Sequence, residues 1–172
     1  MQIVLIEDIS PSLLDGLAEV LADCVEGGAS VGFLAPFTAE AARAWWGHAL
    51  RDPDTLTWVA TDEAGAVRGC VRLDLGAPAN GQHRAEISKL LVHRRARGAG
   101  VATALMDAAE AEAARRGRSL LLLDTQCGSP AERLYARQGW SVVGVVDDYA
   151  ALPDGRLAGT TIMAKRLLVT AS

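Results

Sequence analysis

HRRARGAGVATALM, residues 93–106, sets three arginines and two glycines directly in front of an apolar helical pattern. The run before it, RAEISKLLVH (84–93), is β-rich, and the run after the helix, SLLLLD (119–124), is short and continuously apolar, as a strand covered on both faces should be. A helix lying between two such strands makes them parallel, joined by a right-handed crossover. The glycines therefore sit at a strand-to-helix turn in the middle of a sheet. Three phosphate-binding patterns can be laid on this turn. A Walker loop fails, because neither Gly98 nor Gly100 is followed by Lys and Ser or Thr. A dinucleotide fingerprint fits weakly, since Thr103 stands where its third glycine belongs. The pattern R-x-x-G-x-G fits through Arg95, Gly98 and Gly100. Its glycines let backbone approach a ligand closely, and the helix start offers free N–H groups with about half a positive charge, a suitable grip for a pyrophosphate. Arg95 and Arg97 would add charge-assisted contacts. The plainer alternative is a tight turn with solvated arginines.

Outward from the turn, the chain reads as strand QIVLIEDI, then a helix capped by Ser10 with Pro11 in its first turn and ending near Gly27-Gly28. A glycine-rich connector leads to a second helix, AEAARAWWGHALR, capped by Thr38. TLTWVATD and AVRGCVRLDL form a hairpin, and RAEISKLLVH follows. The helix after the glycines runs to about Arg116, and PAERLYARQ is a short helix stopped by Gly139. SVVGVV and GTTIMAK close the chain around a turn at Pro153-Asp154-Gly155. The order β-α-α-β-β-β-α-β-α-β-β predicts one α+β domain over residues 1–172. Its mixed sheet has seven strands, mostly antiparallel, with one central parallel pair and four flanking helices.

Composition agrees with a globular chain: 172 residues, half of them hydrophobic, and a net charge of −4. Bulk affinity for nucleic acid or for an anionic membrane is not expected, and no apolar window approaches the ~18 residues of a membrane span. A soluble, cytoplasmic protein is expected. Cys24, Cys70 and Cys127 are odd in number and in no CxxC pair, so reduced thiols are expected rather than a disulfide framework or a zinc site. His48, His83 and His93 show no ligand spacing; no metal is expected, and solvated histidines are.

The glycine turn and the element order together resemble the Gcn5-related N-acetyltransferase superfamily, whose [QR]-x-x-G-x-[GA] turn binds the pyrophosphate of acetyl-coenzyme A. SPAERLYARQGW is similar to that family's A-x-x-x-Y-x-x-x-G-[FW] helix, which lies across the cofactor. Many members place an Asn three residues before the Ala; this chain has Gly128 there, with Ser129 as the candidate substitute. GGASVGF, NGQHRAEISKL, LDTQCGSPAE and YAALPDGRL narrow the resemblance to the tabtoxin-resistance acetyltransferases. The resemblance implies that the two parallel strands splay apart, leaving backbone at Leu90, Leu91 and Val92 free for the pantetheine arm of acetyl-coenzyme A. The pyrophosphate would rest on Arg97, Gly98, Ala99, Gly100, Val101 and Ala102. It further implies a small amine acceptor resembling an amino-acid toxin or antibiotic, and a fold that often pairs into homodimers.

An amine with a lysine-like pKa near 10.4 is mostly protonated at neutral pH and must lose a proton before it attacks a thioester. A base and an acid on opposite sides of the thioester would serve. Glu86 is the first candidate base, in a strand where alternation sets it on one face with Ser88 and Leu90, while Ile87 and Lys89 point the other way. An ion pair with Arg84 or Lys89 is the competing explanation for Glu86. Tyr135 is the candidate acid, because the family's tyrosine at this position reaches the coenzyme A sulfur. Asp124 closes its strand at the carboxyl end, where open sheets place their sites; the subgroup treats the matching Asp as a second base or amine-binding group. A plain capping role for Asp124 stays open, as does the choice between it and Glu86 as main base. Trp45 and Trp46 point about 100° apart on a helix and cannot both face one core; a plain core-and-edge pair explains them, and one of the two, with Trp45 as the candidate, can instead line a substrate pocket. By resemblance GGASVGF is a substrate-side lid, faced by Tyr149 from the last hairpin. Cys127 as an acyl-carrying nucleophile has no base proposed by the sequence. The leading expectation is acetyl transfer to a primary amine by direct attack in a ternary complex. The runner-up is a non-catalytic acyl-coenzyme A sensor, which would use the same glycine turn.

Overall fold

A computed structural model describes residues 1–168. Seven strands form one sheet in the order β1-β2-β3-β4-β5-β7-β6. They are β1 (Gln2–Leu5), β2 (Thr55–Thr61), β3 (Val67–Asp74), β4 (Arg84–Val92), β5 (Leu120–Gln126), β6 (Ser141–Ala151) and β7 (Leu157–Arg166). Every neighbouring pair is antiparallel except β4 and β5. The α+β class, the seven strands and the single central parallel pair read from the sequence are therefore observed. The first strand is shorter than expected, stopping at Leu5. The sixth is longer, continuing past Asp147 and Asp148 through a register irregularity at which Asp148 adopts φ 51°.

Four helices flank the sheet: α1 (Pro11–Glu26), α2 (Ala39–Ala49), α3 (Val101–Arg115) and α4 (Pro130–Arg137). Ser10 and Thr38 cap α1 and α2, each hydroxyl accepting from a first-turn N–H as expected, and Ser129 caps α4 in the same way. The sheet separates two apolar cores. On one face Leu105, Met106, Ala109 and Ala113 of α3 bury against Val71, Leu73, Ala85, Ile87, Leu121 and Leu123, joined by Tyr135 and Trp140. On the other, α1 and α2 bury Leu17, Leu21, Val25 and Trp46 against Val59, Cys70 and Leu91. Gly69 permits the close approach of α3, since a Cβ there would lie 2.7 Å from the Leu91 carbonyl and 3.2 Å from Leu105 Cδ1. Leu105 is fully buried, and Leu105→Ala is expected to cost about 2–5 kcal/mol through lost transfer energy plus the cavity left. Urea unfolding monitored by circular dichroism measures it.

Candidate active site

The parallel pair is joined over only three residues: Arg84 with Leu120, Ala85 with Leu121 and Glu86 with Leu122. Beyond that register β4 continues to Val92 and β5 to Gln126, but they no longer pair with each other. β5 keeps its partner β7 through Gln126, and β4 keeps β3 through Val92. The strands thus part at the carboxyl end of the sheet, leaving the β5-facing backbone of Ser88 to Val92 unpaired. Leu90, Leu91 and Val92 all lie along this gap, although Val92 O already accepts from Arg97 Nε at 3.3 Å.

The glycine turn closes the same end. Gly98 and Gly100 both take left-handed conformations, each with φ 78°, and a Cβ on either would meet no atom within 4 Å. Gly100 is the N-cap of α3 and brings no side chain to it. The N–H groups of Gly98, Ala99, Gly100, Val101, Ala102 and Thr103 have no acceptor among the described residues. Six donors without acceptors thus gather at the positive end of a four-turn helix, with open space in front of Gly98 and Gly100. The arginines around them divide. Arg94 is a structural strut, its Nε 2.8 Å from Asp23 Oδ1 and its Nη2 2.5 Å from Glu26 of α1. Arg95 and Arg97 remain exposed beside the turn. His93 contradicts the expectation of a solvated histidine. Only 6 % exposed, it accepts a hydrogen bond from Arg95 N at Nδ1, and its Nε2 lies 3.6 Å from both Glu19 and Asp23. The strand end it occupies is covered by α1, which the local sequence does not disclose.

Side-chain direction places the carboxylates. Ala85 and Ile87 of β4 and Leu121 and Leu123 of β5 all point into the α3-side core. Glu86 and Asp124 therefore point to the opposite face, one on each side of the gap. The expected alternation of β4 fails beyond Ser88. Lys89 takes φ 49°, and the pairing with β3 slips between Cys70 and Arg72. This bulge turns Leu90 and Val92 toward the α3-side core with Ile87, while Leu91 packs in the other core. Lys89 thus shares the face of Glu86, and Leu90 does not, the reverse of the sequence expectation. Partial burial pushes the Glu86 carboxyl above the usual range, reinforced by negative Asp124 and Asp74 and opposed by Lys89. Burial and the neighbouring Arg72 pull the Lys89 ammonium down.

Tyr135 lies on the other side of the sheet, buried against Trp140 with ring centroids 6.0 Å apart. Burial, with Asp124 adding to it, pushes its phenol well above the usual value, so it stays protonated as a donor. Its hydroxyl has no hydrogen-bond partner among the described residues. Ser129 is occupied, its Oγ accepting from Glu132 N at 3.1 Å and lying 3.4 Å from Thr125 Oγ1. The Cys127 thiol contacts the Thr161 hydroxyl at 3.2 Å.

A strand pair that parts beside an uncapped helix start can be compared with known proteins. The Acetyltransferase (GNAT) family model matches residues 17–140. The chain belongs to the GNAT acetyltransferase family. Among solved structures, a GCN5-related N-acetyltransferase from Kribbella flavida aligns at 25 % identity and TM-score 0.77, covering 96 % of this chain and 98 % of that one. A ribosomal-protein-alanine N-acetyltransferase from Brucella melitensis aligns at 25 % identity and TM-score 0.74, over 97 % and 100 %. An aminoglycoside 6'-N-acetyltransferase complexed with coenzyme A shares the fold at 18 % identity and TM-score 0.74, over the whole of both chains.

In this GNAT chain the wall on the Glu86 face is aromatic. Trp46 is fully buried, whereas the half-buried Trp45 packs at the edge of the same core and meets Phe33 edge-on at 5.4 Å. Phe33 belongs to the connector 27–38, which is tied to the last hairpin by Ala35 N donating to Pro153 O at 2.9 Å. That hairpin reaches the connector through its turn; Tyr149 stands on β6 and is 57 % exposed. Sequence reasoning missed Arg72 and Lys89. Arg72 Cζ lies 5.7 Å and Lys89 Nζ 5.4 Å from the centroid of the Trp45 ring. A usable signal for Lys89 existed, because only two of the seventeen Lys and Arg residues are lysines. Among the described residues no cluster of three or more metal-ligating side chains is found, and no helix is long and apolar enough to cross a membrane.

Proposed function

We propose that this protein transfers the acetyl group of acetyl-coenzyme A to the primary amine of a small, amino-acid-like molecule, by direct attack in a ternary complex. One observation carries the reading: the β4–β5 gap has two carboxylates on one face and a protonated tyrosine on the other. The fit of coenzyme A to this end of the sheet rests on the six free N–H groups from Gly98 to Thr103 and on the space in front of Gly98 and Gly100. Backbone at Ser88 to Val92 offers pairing to an extended arm. When bound, acetyl-coenzyme A supplies an activated thioester.

The protein's own groups do the rest. Glu86 takes the proton from the acceptor ammonium, directly or through water, its raised pKa bringing it closer to the amine it must deprotonate. Asp124, across the gap on the same face, holds the ammonium or shares the proton. Tyr135 donates a proton to the departing thiolate as the new C–N bond replaces the C–S bond. Tyr135→Phe is expected to lower kcat by about 10²-fold while leaving coenzyme A affinity within about twofold. Steady-state kinetics and titration calorimetry together check this.

A sensor that only binds acyl-coenzyme A would use the same turn but has no use for the carboxylates and tyrosine flanking the gap. Calorimetry with coenzyme A, combined with thiol release across amino acids, polyamines, aminoglycosides and tabtoxinine-β-lactam, separates the two. Thiol release on at least one amine is expected; tight binding with no release on any of them overturns the enzyme reading.

A further inference from the structure

We propose that Lys89 and Arg72 form an acid-binding subsite, so that the acceptor is an amine that also carries a carboxylate. The inference rests on the acetyltransferase reading and specifies its substrate. Its ground is two cations on the acceptor face that no carboxylate of the described residues approaches within ion-pair distance, Glu86 and Asp124 acting on Lys89 and Asp52 and Asp74 on Arg72 only from farther off. Neither Lys89 nor Arg72 makes an ion pair among the described residues, whereas Lys165, the other lysine, is 2.6 Å from Glu110. Both cations are partly buried, and a partly buried charge without a partner is costly.

Their placement is also unusual. Lys89 sits in a left-handed conformation, rare for a side-chain-bearing residue, and that bulge is what brings it onto the Glu86 face. Its ammonium lies 5.4 Å from the Trp45 ring centroid and 5.9 Å from that of Phe33. Arg72 lies against the same Trp45 ring and is anchored by Nη2 donating to Ala49 O at 3.2 Å. Its Nε is buried and has no hydrogen-bond partner among the described residues. Aromatic faces hold such cations without cancelling their charge, leaving donors for an incoming anion.

The carboxylates complete the pattern. Glu86 and Asp124 attract an ammonium, and Lys89 and Arg72 on the same face attract an acid. A molecule with both groups separated by a short carbon chain, as in an α-amino acid, satisfies all four, and Phe33 and Trp45 would cover its carbon chain. A polyamine or aminoglycoside would set further positive charge against Lys89 and Arg72.

The test compares amino acids and L-phosphinothricin with the matching amines that lack the acid group, for wild type, Lys89→Met and Lys89→Arg. Expected is a kcat/KM ratio favouring the acid-bearing amine by at least about tenfold. Lys89→Met should cut that ratio about 10–100-fold, mainly through KM, and Lys89→Arg should restore part of it. Unchanged melting temperature and coenzyme A affinity establish that the variants are folded. Turnover with no preference for the acid, or a preference that survives Lys89→Met, overturns the subsite but leaves the acetyltransferase reading standing. If no amine releases thiol, that reading falls and the subsite is judged by calorimetry of L-phosphinothricin and N-acetyl-L-glutamate on the coenzyme A complex. Saturable binding lost in Lys89→Met supports it, and absence of binding to wild type overturns it.

Discussion

Gly100→Glu should lose coenzyme A binding, with affinity falling at least about 10²-fold by calorimetry. Gly100 caps α3 with φ 78°, a conformation that costs an L-residue roughly 1–2 kcal/mol. No atom lies within 4 Å of the position its Cβ would take, so the fold has room for the new side chain. The loss therefore comes from the ligand's side. A carboxylate at this position enters the space in front of the helix and places its charge at the six free N–H groups. It then repels the phosphates that those donors would otherwise receive. Gly117→Glu is the control, because Gly117 has φ 74° and is equally unhindered but sits past the other end of α3. It should show comparable backbone strain and keep its coenzyme A affinity. Equal loss of binding in both variants would trace the effect to destabilisation and not to the cradle.

Glu86→Gln should lower kcat by about 10²–10³-fold with little change in coenzyme A affinity, the range in which a positioned general base contributes. The pH profile gives the sharper readout. Partial burial, with Asp124 and Asp74 close by, raises the Glu86 pKa, so its active, ionised form is lost as pH falls through a value above the ordinary glutamate pKa of about 4.3. Wild-type kcat/KM should accordingly decline on the acid side earlier than an unperturbed carboxylate would allow. Glu86→Gln should abolish that limb. Asp124→Asn removes the negative charge that helps raise the pKa, so its acid limb should move to lower pH. If Asp124→Asn instead abolishes the limb and Glu86→Gln retains it, the roles of the two carboxylates are exchanged.

The glycine turn was legible in the sequence because its requirements are local: two glycines, a strand before and an amphipathic helix after. The caps Ser10 and Thr38 and the parallel pair were legible for the same reason. The resemblance supplied the separation of β4 and β5, which periodicity alone cannot state. The direction of Lys89 was not legible. Its left-handed bulge lies inside a β-rich run with no glycine to mark it, and one such residue reverses the parity of every side chain beyond it. That reversal moves Lys89 onto the substrate face and Leu90 away from it. His93 was misjudged by its neighbours in the chain, because what covers it is α1, some seventy residues distant. Arg72 escaped notice as one charged residue of an alternating strand; its contact with Trp45 exists only after α2 has packed.

The central claim, that an amine attacks the thioester directly within the β4–β5 gap, is tested by initial velocities measured while both acetyl-coenzyme A and the best acceptor amine are varied. Direct attack in a ternary complex predicts reciprocal plots that intersect, with no acetylated enzyme in the intact mass after incubation with acetyl-coenzyme A alone. Parallel plots, with a stoichiometric acetyl mass added to the protein, would contradict it.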